Sequence, residues 1–240
     1  MYAITGITGN VGVSVANNLL SAGRPVRAVM RNVGKGDVWA ERGCEVVPAD
    51  IADATSLVSA FKGVEGVFVL VPPTFDPAPG FPEARATAAS LKSALERADP
   101  GKVVYLSTIG AQAREPNLLT QHTIIEQVLE ELPMPITFLR PAWFMKNFRW
   151  DVAAARESGI ISFLQPLDRA VPMVATADIG REAAKLLQES WTGRRVIELE
   201  GRAGLRRMRW RIPLLKCLVA ACAWTLYRAR HGSNYSDRRA

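Results

Sequence analysis

The chain has 240 residues, 48% hydrophobic and 22% charged, which suits a soluble globular protein long enough for one large α/β domain. Three cysteines (Cys44, Cys217, Cys222) and two histidines (His122, His231) exclude a disulfide framework and a histidine-built metal centre, so no metal is expected. The formal charge of +7 is uneven: residues 201–240 hold ten Lys or Arg against one acid, Asp237, while the first 200 hold 20 basic against 22 acidic side chains, so no nucleic-acid partner is expected.

Residues 2–5 form a short apolar run that enters a glycine-rich turn. A strand starting this early leaves no room for a leader peptide, and the protein reads as cytoplasmic. Residues 13–22 show helical spacing through Val15, Leu19 and Leu20, and Gly23 stops them. Residues 26–30 read as a second strand, 38–42 as a helix, 45–48 as a third strand and 54–61 as a helix ended by Gly63. Residues 66–71 are apolar at nearly every position, as a strand buried on both faces must be. Five prolines make residues 72–82 a loop. A helix over 83–98, a strand over 102–107, a helix over 120–132 and a strand over 136–140 follow. This alternation predicts an α/β fold, a Rossmann doubly wound parallel sheet, with ligands at the carboxyl ends of the strands.

The turn Thr5-Gly6-Ile7-Thr8-Gly9-Asn10-Val11-Gly12 lies between the first strand and the first helix. Gly6 permits the tight turn, Gly9 lets the backbone approach a pyrophosphate, and Gly12 lets the helix pack against the sheet. The helix N-terminus offers N–H groups and partial positive charge to phosphates. Gly6, Thr8, Gly9, Asn10, Val11 and Gly12 are therefore candidate cofactor contacts. At the end of the second strand, NAD sites place an acid for the ribose hydroxyl. Here stands Arg31, with Lys35 nearby and no acid before Asp37. The forked donors of Arg suit a 2′-phosphate, so NADP(H) is favoured over NAD. Asp50 after the third strand either receives the adenine amino group or caps the helix that follows.

These pieces resemble the NmrA-like group of atypical short-chain dehydrogenases, close to its NAD(P)H:quinone oxidoreductase-like members. The resemblance rests on the glycine turn, Arg31, Tyr105-Leu106-Ser107-Thr108 and His122-x-x-x-Glu126-x-x-Leu129. Leu139-Arg140-Pro141-Ala142-Trp143-Phe144-Met145-x-Asn147 and Ala177-Asp178-Ile179-Gly180 complete it. It covers the chain to about Gly201. It implies that Val71 and Pro72 border the adenosine or nicotinamide, and that Ser107 and Thr108 face the nicotinamide. It also implies that residues 141–147, with Pro141, Trp143 and Phe144, wall the cofactor and substrate pocket. Each has a plainer reading: Pro72 shapes a loop, and Trp143, Phe144 and Met145 fill core.

The Tyr-x-x-x-Lys pair of typical short-chain dehydrogenases is absent, since Ile109 stands four residues after Tyr105. This disfavours alcohol dehydrogenation and sugar-nucleotide epimerisation more than quinone reduction, in which the cofactor supplies hydride. His122 and Glu126 occupy the corresponding helix, one turn apart, and His122 is the candidate catalytic proton donor because imidazole titrates near neutrality. Its alternative is a structural or capping role. The expected function is an NADPH-dependent oxidoreductase acting on a quinone-like or other small electron acceptor. The alternative is a non-catalytic NADP(H)-binding sensor.

Beyond Gly201 the composition changes. Residues 212–226 are apolar apart from Lys216 and Thr225. They are too short to cross a bilayer as a helix, which takes about 20 residues. Attachment to an anionic membrane surface is the less favoured reading. The preferred one divides the chain into an NAD(P)-binding domain, residues 1–200, and a basic tail, residues 201–240, that is a frameshifted version of the family's C-terminal lobe. Codons permitted for residues 230–240, read from the third base, encode Thr-Trp-Glu-Gln-Leu-Phe-Arg-Ser-Gln-Gly. The same shift carried back to Arg206 permits a helix, a strand and a second helix. On this reading the substrate lobe is incomplete, and related genes carrying the same tail in frame would overturn it.

Overall fold

A computed structural model describes residues 1–147, 149, 156 and 171–201. The expectations for the tail past Gly201 lie outside the described residues. The chain divides into two units, Met1–Met145 with Pro172–Arg202 and Lys146–Val171 with Ala203–Ala240. The parallel sheet and the helices that cover it belong to the first.

The apolar runs become strands β1 (Tyr2–Ile4), β2 (Val26–Met30), β3 (Glu45–Pro48), β4 (Gly66–Leu70), β5 (Val103–Leu106) and β6 (Ile136–Pro141). Strands β7 (Trp143–Phe144), β8 (Met173–Val174) and β9 (Arg194–Leu199) follow. Seven strands form one sheet in the order β3-β2-β1-β4-β5-β6-β9, and every neighbouring pair is parallel. The order reverses between β1 and β4, where the strand ends splay into a crevice that an open α/β sheet can offer to a ligand. The expected Rossmann architecture is therefore present.

Helices cover both faces. On one, α1 (Asn10–Ser21) and α6 (Thr176–Gln188) bury Val11, Val15, Leu19, Ile179 and Leu186 in the same core as Phe68. On the other, α3 (Ala54–Phe61), α4 (Pro82–Ala98) and α5 (Thr120–Leu129) bury Leu57, Leu91, Leu95, Ile125 and Leu129 with Val67 and Val69. Alternate residues of β4 thus feed opposite cores, which is why its sequence is apolar throughout. Gly180 lets α6 close on α1: a Cβ there would lie 2.3 Å from the Ser14 Cβ. The Ser14 hydroxyl also donates to the Ala177 carbonyl at 3.1 Å.

The helix expected over 38–42 is present as the short α2 (Asp37–Ala40), one residue earlier at its start and two shorter at its end, and a 3-10 turn, Val33–Lys35, precedes it. Gly36 separates them, and a Cβ there would meet Val46 Cγ1 at 2.6 Å. Helix α5 stops at Leu129, three residues before its expected end. Strand β9 and the two-stranded pair β7–β8 are additions to the sequence reading. No helix among the described residues is long and apolar enough to cross a membrane. No group of three or more metal-ligating side chains gathers among them.

Candidate functional site

The glycine turn runs from β1 into α1 beside β4. Gly6 adopts φ +61, a left-handed conformation, with Leu70 of β4 alongside. Thr5 ties the two strands across the crevice. Its Oγ1 accepts the Leu70 N–H at 2.8 Å and donates to the Phe68 carbonyl at 3.2 Å. The Gly9 N–H donates to the Gly6 carbonyl at 2.9 Å. Gly12 leaves no room at all, since an added Cβ would sit 2.1 Å from that same carbonyl oxygen. Gly9 is different: it is exposed, has an ordinary φ of −92, and an added Cβ would meet only the Gly6 carbonyl at 3.3 Å. It caps α1 without a side chain, so the helix N-terminus has no side-chain cap. Thr8 and Asn10 are exposed beside it, while the Val11 side chain is buried in the core, leaving only its backbone for a ligand.

The other candidates follow the carboxyl ends of neighbouring strands. Arg31 and Lys35, after β2, are both exposed and form no ion pair among the described residues. Asp50, after β3, accepts the Ala52 N–H at 3.0 Å. It is not the cap of α3: Asp53 is, accepting the Thr55 N–H at 2.9 Å. Ser107, after β5, is 4% exposed, and its Oγ has no partner among the described residues. A buried hydroxyl without a partner is uncommon and marks a place where a ligand or water can complete the site. Thr108 spends its hydroxyl on the Ile109 carbonyl at 3.1 Å. Pro141 is buried and its carbonyl accepts the Ile109 N–H at 3.0 Å. Phe144 packs partly buried against the core, whereas Trp143 is 36% exposed and does not fill it.

The structure separates His122 from Glu126. Tyr105, wholly buried on β5, meets His122 Nδ1 through its hydroxyl at 2.7 Å. Glu126 turns instead to Arg140 of β6 in a two-point pair, Nε to Oε1 at 3.0 Å and Nη2 to Oε2 at 2.5 Å. Burial pushes His122 down from 6.5 to about 4, and the Glu126 charge only partly offsets this. Burial, with Glu126 second, holds Tyr105 well above the ordinary tyrosine range. This corrects the expectation of a histidine titrating near neutrality: His122 is a neutral imidazole there. Tyr105 keeps its proton, and His122 Nδ1 is its one hydrogen-bond partner among the described residues. The hydroxyl therefore donates to Nδ1, which leaves the imidazole proton on Nε2. His122 also lines a small cavity of about 30 Å³ with Val71, Pro72, Thr74, Glu83 and Gln121.

A histidine held neutral in the fold but free to protonate when unfolded makes stability fall with acid. The contribution is complete above about pH 6.5 and is lost as the pH drops toward about 4. Wild type is expected to lose about 2–3 kcal/mol more than His122→Gln between pH 7 and pH 4, measured by urea denaturation. Equal losses would show that His122 is not held neutral.

The NAD(P)H azoreductase of Xenophilus azovorans is 29% identical over 189 residues, which cover 78% of this chain and 63% of that protein. In structure the chain is similar to an NADPH-dependent quinone oxidoreductase of Escherichia coli solved with NADPH, at 27% identity and a TM-score of 0.71, covering 84% of this chain and 69% of that one. It is similar also to the triphenylmethane reductase of Citrobacter sp. solved with NADP(H), at 25% identity and a TM-score of 0.71, covering 84% and 70%. The chain spans 63% of the length of the first curated relatives it matches. The NmrA-like family model matches residues 2–201, from β1 through β9, and takes in the glycine turn and the Tyr105–His122 and Glu126–Arg140 ties: this chain belongs to the NmrA-like family.

Proposed function

We propose that this chain binds NADP(H) across the β1–β4 crevice and reduces a small quinone-like acceptor. The observation that carries the reading is Gly9. The fold itself barely needs a glycine there, because its φ is ordinary and only one carbonyl oxygen stands near an added Cβ, at 3.3 Å. What does need the space is a pyrophosphate approaching the uncapped α1 N-terminus. The orphaned Ser107 hydroxyl, just after β5, fits a bound nicotinamide-type ligand as well.

Arg31 and Lys35 would hold the 2′-phosphate, and Asp50, with one carboxylate oxygen engaged by Ala52, has another for the adenine amino group. Backbone N–H groups of the turn would hold the pyrophosphate, and Ser107 would orient the nicotinamide side. The bound cofactor supplies hydride. With His122 uncharged near pH 7 and the Tyr105 proton held in the bond to Nδ1, neither side chain is assigned the proton that accompanies hydride on the acceptor. His122 instead offers a neutral Nε2–H.

The test is fluorescence titration with NADPH and NADH, followed by turnover with a simple quinone. Arg31→Ala is expected to weaken NADPH binding by about 10- to 100-fold while leaving NADH within about threefold, as loss of a charge-assisted phosphate contact requires. Equal weakening of both cofactors would remove the 2′-phosphate role. Binding without turnover of any acceptor would return the binding-only sensor.

A further inference from the structure

The segment that leaves β4 has an anchoring problem. Pro72 and Pro73 carry no backbone N–H, so the first main-chain donor after Val71 is that of Thr74. Gln121, 6% exposed in the first turn of α5, takes it. The Thr74 N–H donates to Gln121 Oε1 at 2.9 Å, and Gln121 Nε2 donates back to the Thr74 carbonyl at 2.8 Å. The same Nε2 also donates to the Leu118 carbonyl at 3.0 Å. One buried amide thus satisfies both polar groups of Thr74, as a neighbouring strand would.

The held segment begins at the switch point. Leu70 gives its N–H to Thr5 and lines Gly6 of the turn, and the chain then runs directly through Val71 and Pro72 to Thr74. Val71, Pro72, Thr74 and Gln121 line one cavity together with His122 and Glu83. We propose that Gln121 is a positioning residue of the dinucleotide site, fixing residues 71–74 as one wall of the β1–β4 crevice before the cofactor arrives. The inference rests on the NADP(H) reading above. A wall already in place costs no ordering on binding, so loosening it lowers cofactor affinity more than it slows the reaction.

The amide must both accept and donate, which defines the variants. Gln121→Leu keeps the bulk and removes every bond. Gln121→Glu is nearly isosteric: ionised, it accepts from the Thr74 N–H but repels the Thr74 and Leu118 carbonyls, and protonated it can donate to one of them. The titratable groups lining the same cavity are Glu83 of α4 and His122 of α5, and wild type carries both, so it is the control at each pH.

Cofactor dissociation constants are measured by tryptophan fluorescence, with acid-stable NADP⁺ for the pH series, and KM and kcat with a simple quinone. Gln121→Leu is expected to raise the NADPH dissociation constant and KM about tenfold, with a smaller fall in kcat. Gln121→Glu is expected to bind close to wild type at pH 5.5 and about tenfold more weakly at pH 8. Unchanged cofactor affinity in Gln121→Leu, or a loss confined to kcat, would overturn the proposal, as would a Gln121→Glu profile parallel to wild type. If Gln121→Leu does not fold, the Gln121→Glu series decides. Wild type that binds no NADPH would instead overturn the cofactor reading on which the proposal stands.

Discussion

Gly12→Ala is expected to lose NADPH binding at least about 100-fold and to destabilise the fold by about 3 kcal/mol, the upper end of overpacking costs. Its added Cβ would stand 2.1 Å from the Gly6 carbonyl oxygen, 2.6 Å from the Gly6 carbonyl carbon and 2.8 Å from the Ile7 Cα. All three are backbone atoms of the turn, so α1 must lift or the turn must open. Gly9→Ala makes the informative contrast. Its Cβ meets one oxygen at 3.3 Å and needs a shift of only a few tenths of an ångström. It is expected to cost under about 1 kcal/mol of stability and still to weaken NADPH by at least about tenfold, because the methyl stands where phosphate must approach the helix N-terminus. Thermal melts and NADPH titrations of both variants separate packing from binding. A Gly9→Ala chain that binds NADPH like wild type would remove the main support for the phosphate site.

What the sequence made legible was local. The glycine turn, Arg31 and the buried strand β4 can be read from consecutive residues, because turn chemistry and an unbroken apolar run are short-range signals. Strand β9 escaped because it lies at the sheet edge and is half solvated, with Arg194, Arg195 and Glu198 interrupting its apolar pattern. The separate partners of His122 and Glu126 escaped for the opposite reason. Helical spacing put them on one face, but tertiary partners decide what a side chain meets, and Tyr105 and Arg140 took one each. Gln121 did leave a signal. It stands four residues before Ile125 and eight before Leu129, in the phase of the stripe that α5 buries. A polar residue in such a stripe must find partners or destabilise the fold. Its partner, Thr74, lies in a proline loop that no periodicity describes.

The Glu126–Arg140 pair carries the second large effect. Its side chains are 5% and 13% exposed, and it joins α5 to β6 on the helix that also presents Gln121 and His122. Glu126→Ala leaves a guanidinium largely out of water with Gln112, at 3.3 Å, as its remaining side-chain hydrogen-bond partner among the described residues and only the weaker influence of the Glu198 and Glu130 charges. The expected loss is about 3 kcal/mol, because an uncompensated buried charge costs more than the pair contributes. Replacing both partners by apolar residues, Glu126→Leu with Arg140→Met, should recover most of that loss, since it removes the stranded charge as well as the bond. Urea denaturation of Glu126→Leu, Arg140→Met and their combination checks this as a double-mutant cycle, with Glu126→Ala measured beside it. If Glu126→Ala costs under about 1 kcal/mol, the pair is solvated in solution and does not fix α5. If the cost is as expected, the helix that orients His122 and Gln121 is held by a charge pair with no role in the chemistry. The His122-x-x-x-Glu126 motif then combines two separate tasks: Glu126 anchors the helix to the sheet, while His122 reaches Tyr105 and the cavity.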